Sequence, residues 1–272
     1  MRAAVIQMRS GIDRSRNLED AEKLIREAAE DGAQLILTPE MTTLLDRNRD
    51  RLMASLIEPR PDEEDFFAEL SREVGATLII GSVPVLGQQK VANRSMVFSE
   101  GRKIATYDKI HLFDVDLDTG ESWRESNLYQ EGKEAVLVEG IGAKVGLSIC
   151  YDLRFPHLYR RLAQAGAEVL TVPAAFTVPT GEAHWEVLLR ARAIETGSFV
   201  LAAAQGGEHE DGRHTFGHSM IVDPWGSVLD KLSHDSPGVA MADLDLAKVR
   251  DVRSRIPSLV LERSPAIRTY RA

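Results

Sequence analysis

The chain has 272 residues, 43% hydrophobic and 28% charged, which is the balance of an ordinary globular protein. Its net charge of −9 argues against a nucleic-acid-binding surface, and its single cysteine excludes an intrachain disulfide and fits a reducing compartment. No apolar run approaches the ~20 residues of a membrane span, and the first residues lack the apolar core of a signal peptide. We therefore expect a cytoplasmic protein with neither nucleic acid nor membrane as a partner.

Short apolar β-type runs alternate with helical patterns along the chain. Strands are predicted within residues 3–8, 33–40, 76–85, 95–99, 144–150, 168–176, 198–205, 219–231 and 238–246. Spacings of three and four predict helices within residues 17–29, 66–74, 158–163 and 185–192, the first with Asn17 as its N-cap. No linker or charge block divides the chain. We therefore predict one domain over residues 1–272, of the α/β (α+β) class, with helices covering sheet faces.

Three polar residues stand at the ends of predicted strands. LILTPE ends on Glu40, KIATYDKIH carries Lys109, and KVGLSIC ends on Cys150. Loops at strand ends present side chains from a rigid scaffold. Taken singly, each residue has an ordinary explanation: a solvated acid, a lysine facing water and a buried structural thiol.

Taken together, the three residues make an activated thiol. A thiol attacks only as thiolate, and an ordinary pKa of ~8.5 leaves little thiolate at neutral pH. A neighbouring carboxylate can accept the proton, and a neighbouring lysine stabilises negative charge. This chemistry needs no histidine, and none of the seven histidines stands in an obvious catalytic motif.

Sequence motifs for cofactors and metals are missing. There is no HExxH, CxxC or GxxxxGK[ST], and GIGAKVG does not match GxGxxG. His214 and His218 have a spacing of four, but Gly217 and the β-like sequence after it argue against a helical metal pair. We therefore expect neither a cofactor nor a metal.

Three segments resemble a known family. PE at 39–40, YDKIHLFD at 107–114 and SICYDLRFP at 148–156 are similar, in order and spacing, to the signature segments of the nitrilase superfamily, the carbon–nitrogen hydrolases. The resemblance extends from about residue 3 to residue 259. It implies a four-layer α–β–β–α sandwich and a thiol-dependent amidase with a thioester intermediate. It also implies a homodimer or higher homo-oligomer, because relatives use the helices after Cys150 and at 184–195 as the dimer contact.

The resemblance implies a catalytic role for four residues. Cys150 matches the nucleophile, Glu40 the general base and Lys109 the lysine that holds the oxyanion. The family has a second glutamate between the lysine and the cysteine. Glu125 matches it best, with Glu121 as the alternative.

The resemblance also implies a set of substrate-binding residues. The backbone N–H of Tyr151 matches the second oxyanion donor. Arg154 matches the arginine that binds a substrate carboxylate in ω-amidases, a contact that suits a planar guanidinium. Phe176 and Thr177 match a segment that lines the substrate. The implied partner is therefore a small amide that carries a carboxylate.

Three interpretations of the function follow. HLFDVD at 111–116, the WRES loop and residues 184–226 most resemble the amidases that act on deaminated glutathione. The alternative is the ω-amidase branch, which acts on α-ketoglutaramate and shares CYDLRF. A third interpretation, from another class, is a catalytically silent sandwich that serves as a binding module.

Overall fold

The computed structural model describes residues 1–58, 62–116 and 122–271. The helices in this part of the chain are α1 (Arg14–Glu30), α2 (Arg49–Ile57), α3 (Glu63–Val74), α4 (Pro156–Gln164), α5 (Val178–Thr196) and α6 (Ala247–Arg255). Short 3-10 helices cover Glu125–Asn127 and Cys150–Arg154. None of the helices in these ranges is both long and apolar enough to cross a bilayer.

Seventeen strands are assigned within the same described ranges. They are β1 (Arg2–Gln7), β2 (Leu35–Leu37), β3 (Thr77–Leu86), β4 (Val91–Ser99), β5 (Arg102–Asp108), β6 (Asp114–Asp116), β7 (Ser122–Arg124), β8 (Tyr129–Gln130), β9 (Leu137–Val138), β10 (Val145–Gly146), β11 (Val169–Thr171), β12 (Phe199–Ala202), β13 (Gly206–Glu208), β14 (His214–Phe216), β15 (Met220–Val222), β16 (Val228–Lys231) and β17 (Gly238–Asp243).

The strands form two large sheets and two hairpins. The first sheet has the order β17-β1-β2-β3-β4-β5, with β8 beside β4, and the second has the order β16-β15-β12-β11-β10-β9. Strands β1, β2 and β3 are parallel, as are β10, β11 and β12. Carboxyl ends of parallel strands meet at one edge, where open α/β sheets form their sites. β6 pairs with β7 and β13 with β14, each as a separate hairpin.

Alternation of side chains along the strands of the first sheet creates two cores. Val5, Leu37 and Ile79 face the second sheet and belong to the same core as residues of α4 and α5. Their neighbours Ile6 and Ile36 face the other way, onto α1 and α3. The order of layers is therefore helices, sheet, sheet, helices, and the expected four-layer sandwich is confirmed.

The first helix begins earlier than the sequence pattern predicts. Asp13, not Asn17, is the N-cap of α1, and its side chain accepts hydrogen bonds from the N–H groups of Ser15 and Arg16. Asn17 lies inside the helix, buried, where its amide bonds the backbone of Gly11 and Thr43. The prediction was wrong because the apolar periodicity begins one turn after the helix itself.

Candidate active site

Glu40 lies in the loop after β2, at the carboxyl end of the strand, and its side chain is buried. The loop turns sharply, since the next residue, Met41, has a φ of 57°. Gly81 in β3 allows the loop to pass, because a Cβ there would stand 2.0 Å from the carbonyl oxygen of Thr38. Glu40 Oε2 accepts a 2.9 Å hydrogen bond from the N–H of Ala175. The carboxylate is therefore fixed by backbone at the end of the sheet.

Cys150 opens the 3-10 helix Cys150–Arg154, a few residues after β10. Its φ of 49° lies in the left-handed region, which is uncommon for a residue with a side chain and costs free energy. The N–H of Cys150 donates to the carbonyl oxygen of Pro173 over 2.8 Å. The structure therefore holds this cysteine in a strained backbone conformation at a turn, which an ordinary core thiol does not require.

Lys109 follows the last residue of β5 and is almost fully buried. Its Nζ lies 2.9 Å from Glu40 Oε1 and 3.0 and 2.9 Å from Glu125 Oε1 and Oε2. Three N–H groups therefore meet three carboxylate oxygens. The Lys109 ammonium group is therefore paired with two carboxylates, which offsets the cost of burying its charge.

Glu125 opens the 3-10 helix Glu125–Asn127 and completes this cluster. Its Oε2 also accepts from the N–H of Phe113 over 2.6 Å. The side-chain amide of Asn93 donates to Oε1 of Glu125 over 3.3 Å and to Oε1 of Glu40 over 2.8 Å. The alternative second glutamate, Glu121, lies outside the described residues.

The charges of the cluster are set by its burial and by its own contacts. Burial works to raise the pKa of Glu40, but the charge of Lys109 and the hydrogen bonds from Cys150, Lys109 and Asn93 together lower it. Burial works to lower the pKa of Lys109, but Glu125, Glu40 and Cys150 raise it well above its ordinary value. Burial first, and the charge of Glu40 second, raise the pKa of the Cys150 thiol. Burial and the neighbouring Glu40 therefore favour the neutral form of the Cys150 thiol, while Lys109 favours the ionised form of Glu40.

All eight residues singled out in the sequence line one cavity of about 590 Å³. They are Glu40, Lys109, Glu125, Cys150, Tyr151, Arg154, Phe176 and Thr177. Tyr151 packs edge-on against Phe113 and Phe155. Thr177 is the residue before α5, and its hydroxyl lies 2.9 Å from that of Thr180. Segments that follow strands of both sheets, together with the first turn of α5, thus line the cavity.

Arg154 is a half-buried guanidinium on the wall of this cavity. It packs over the rings of Tyr151 and Phe176, at 5.9 and 5.4 Å from their centroids, and its Nη1 lies 3.3 Å from His184 Nδ1. Within the described ranges no carboxylate forms an ion pair with it. Its planar donors are therefore available for an anion in the cavity.

Two residues at the site were not identified from the sequence. Asn93 and Ser95 are polar residues on the buried face of β4, and this break in an apolar face is the signal that marks Asn93. Asp152, two residues after Cys150, is fully buried and accepts hydrogen bonds from Tyr107 and from the N–H groups of Ile149 and His111. No local pattern distinguishes it from a solvated acid, because its partners are distant in sequence.

Known proteins share both the sequence and the fold. A carbon–nitrogen hydrolase family model matches residues 2–254. A deaminated glutathione amidase from Synechocystis sp. (strain PCC 6803 / GT-S) is 40% identical over 263 residues, 94% of this chain and 96% of that protein. The crystal structure of the C. elegans NitFhit protein has a TM-score of 0.90 and 34% identity, and covers 96% of this chain and 65% of that one.

A second similar structure bears on the chemistry of cysteine in this fold. It is a mutant of the amidase from Nesterenkonia sp. AN1, with a TM-score of 0.76 and 25% identity over 94% of this chain and 95% of that one. It shows covalent addition of the acetamide moiety of fluoroacetamide at its active-site cysteine. The match of the family model along nearly the whole chain, together with the 40% identity to the Synechocystis protein, shows that the chain belongs to the carbon–nitrogen hydrolase family.

Proposed function

We propose that this single-domain hydrolase cleaves a non-peptide amide through a thioester on Cys150. The observation that carries the proposal is that the buried residues Cys150, Glu40 and Lys109 line one cavity, with Lys109 Nζ 2.9 Å from Glu40 Oε1. A thiol whose pKa is raised reacts only if a base removes its proton as it attacks. The lowered pKa of Glu40 keeps its carboxylate ionised, so it is free of a proton and able to accept one.

The reaction proceeds in two stages. The Sγ of Cys150 bonds to the amide carbon while Glu40 accepts the thiol proton. Glu40 then passes this proton to the leaving nitrogen, so the C–N bond breaks and a thioester remains. Water next attacks the thioester carbon and its proton passes through Glu40 to Sγ, which breaks the C–S bond and releases the acid. Lys109 and the N–H of Tyr151 hold the oxyanion in both stages, and Glu125 positions Lys109.

Deaminated glutathione is the proposed substrate. Its keto-acid end carries a carboxylate, which the guanidinium of Arg154 is suited to bind beside Phe176 and Thr177. Its leaving group, cysteinylglycine, requires an open and sizeable site, and a cavity of about 590 Å³ supplies that room. The name of the Synechocystis relative supports the same substrate.

The second candidate is ω-amidase activity on α-ketoglutaramate, because the same arginine suits both keto acids. Side-by-side kcat/KM values for deaminated glutathione, α-ketoglutaramate, an N-carbamoyl amino acid and a simple nitrile separate the candidates. We expect deaminated glutathione to be the best substrate. A clear advantage for α-ketoglutaramate moves the assignment to ω-amidase, and failure on the whole panel removes the proposal.

Arg154→Ala tests the carboxylate contact. Loss of a charge-assisted hydrogen bond costs about 1.5–3 kcal/mol, so we expect a roughly ten- to hundredfold loss in kcat/KM for the keto acid amides. A neutral short-chain amide should lose much less. Equal losses on both would assign Arg154 a purely structural role.

We also propose a homodimer in the cytoplasm. α5 and the β15–β16 turn expose apolar side chains, namely Val187 (68% exposed), Ile194 (52%) and Trp225 (49%), on one side of the molecule. A free catalytic thiol fits a reducing compartment. Light scattering at micromolar concentration should give twice the chain mass of 30.1 kDa, and a monodisperse monomer would contradict the proposal.

A further inference from the structure

We propose that Asn93 is a positioning residue of the reaction, which holds the carboxylates of Glu40 and Glu125 in place by donating to both while Lys109 serves the oxyanion. The inference rests on the proposed thioester mechanism. Asn93 acts through the side chains that it contacts, Glu40 and Glu125, and not on the substrate itself.

Asn93 has contacts with three of the four residues to which the mechanism assigns catalytic roles. Its side chain is fully buried, and its Nδ2 donates to Glu40 Oε1 over 2.8 Å and to Glu125 Oε1 over 3.3 Å. Its backbone oxygen accepts a 2.9 Å hydrogen bond from the N–H of Lys109. Since β4 is paired on both sides, by β3 and by β5, this geometry is held by the sheet.

The orientation of the amide follows from its neighbours. If Oδ1 faced the two carboxylates it would meet two anions, so the NH2 group must face them. Oδ1 then points away, is buried, and has no hydrogen-bond partner within the described part of the chain. A buried acceptor without a partner destabilises the fold. An amide at this position is therefore poorly explained by packing alone, whereas donation to two carboxylates explains it.

The hydrogen bonds of Lys109 explain why a second donor is needed. All three N–H groups of Lys109 are engaged, one with Glu40 and two with Glu125. To stabilise an oxyanion, Lys109 must release one carboxylate oxygen. The two oxygens to which Asn93 donates, Oε1 of Glu40 and Oε1 of Glu125, are also contacted by Lys109. If Lys109 moves away from Oε1 of Glu40 or from Oε1 of Glu125, that oxygen therefore still accepts a hydrogen bond from Asn93.

The test measures pH dependence rather than turnover alone. In Asn93→Ala, Glu40 loses a hydrogen bond that favours its ionised form, so its pKa rises. We expect the acid limb of kcat/KM to move to higher pH and kcat at neutral pH to fall about ten- to a hundredfold, with little change in KM. The rate of Cys150 alkylation by iodoacetamide should show the same shift of its acid limb, without any substrate.

Two further variants complete the design. Ser95→Ala removes a buried hydroxyl from the same face of β4, where it bonds only the carbonyl of Ile80, and should keep the wild-type pH profile. Asn93→Asp keeps the shape of the side chain but adds a charge that opposes both carboxylates. Its acid limb should move at least as far as in Asn93→Ala, and it covers the case in which the alanine variant does not fold.

The outcomes separate this inference from the proposed function. If the wild-type protein hydrolyses an amide and a folded Asn93 variant keeps the wild-type pH profile, the role of Asn93 is refuted and the mechanism stands. If the wild-type protein hydrolyses none of the panel, the proposed function fails, and the alkylation profiles still decide whether Asn93 controls Glu40.

Discussion

The hydroxyl of Tyr107 donates a 2.6 Å hydrogen bond to Oδ2 of Asp152, and both side chains are buried. The same carboxylate accepts from the N–H groups of Ile149 and His111, over 2.9 and 3.0 Å. Tyr107 and His111 lie on either side of Lys109 in sequence, and Ile149 and Asp152 on either side of Cys150. One buried carboxylate therefore joins the segment that carries Lys109 to the turn that carries Cys150.

Replacement of Tyr107 by phenylalanine should weaken this junction. Removal of a hydrogen bond to a buried charge costs about 1.5–3 kcal/mol in the free energy of unfolding, and kcat should fall with it because Lys109 and Cys150 lose their common anchor. Tyr159→Phe is the control, since that buried hydroxyl is hydrogen-bonded to the neutral hydroxyl of Ser148 and the loss should be about 1 kcal/mol. Urea unfolding measures both, and equal losses would argue against a special role for Asp152.

Cys150→Ala should abolish amide hydrolysis and leave the fold intact. The side chain loses one heavy atom from a buried site, so we expect the free energy of unfolding to fall by about 1–2 kcal/mol at most. The alanine variant should also fail to form a covalent adduct with substrate, which intact-mass spectrometry detects. Amide hydrolysis by this variant at the wild-type rate would remove Cys150 from the mechanism.

Glu40→Gln and Lys109→Met should each lower kcat by orders of magnitude. The two side chains act with Cys150 as one unit, so the double variant should be little slower than the slower single variant. Lys109→Met also leaves Glu40 and Glu125 buried without their cation, which should destabilise the fold by about 3–5 kcal/mol. Activity must therefore be compared at a temperature where circular dichroism shows all variants folded. Additive losses in kcat would place one of the two residues outside the reacting unit.

The four layers implied by the family resemblance are confirmed, whereas the roles of the site residues stay predictions. Glu40, Lys109 and Cys150 each follow a strand-like run, and the structure brings them together at the ends of two sheets. Some strands, such as β2 and β11, are shorter than predicted, whereas β4 is longer. Residues 144–150 form a two-residue strand and then a turn, because Cys150 takes a left-handed conformation that a strand cannot continue.

Contacts between segments distant in sequence were beyond the reach of local patterns. Helix α2 and the hairpins β6–β7 and β13–β14 were not predicted. The strands of both hairpins are three residues long and carry little periodicity. The burial of Asp152 depends on Tyr107, 45 residues away. In both cases tertiary packing, rather than propensity, decides the structure.

The buried side chain of His209 should make the free energy of unfolding depend on pH in acid. It is buried in the segment between β13 and β14, where its Nδ1–H donates to the carbonyl oxygen of Ser10 and its Nε2 accepts from the hydroxyl of Thr215. Burial lowers the pKa of His209 from 6.5 to about 4. Between these two values the unfolded chain binds a proton that the folded chain does not, so stability falls as the pH falls. The pKa difference corresponds to about 3 kcal/mol once pH 4 is reached.

His209→Gln should remove this contribution, since glutamine does not titrate. We expect a less stable protein at pH 7, because two buried hydrogen bonds are disturbed, but a smaller loss of stability between pH 6.5 and 4 than in the wild type. His214→Gln is the control, because His214 lies in the same hairpin with its side chain 58% exposed and should leave the pH dependence unchanged. Urea unfolding at half-unit pH intervals measures the slopes. If His209→Gln loses as much stability over this range as the wild type, the acid sensitivity arises from the carboxylates, and His209 is not its source.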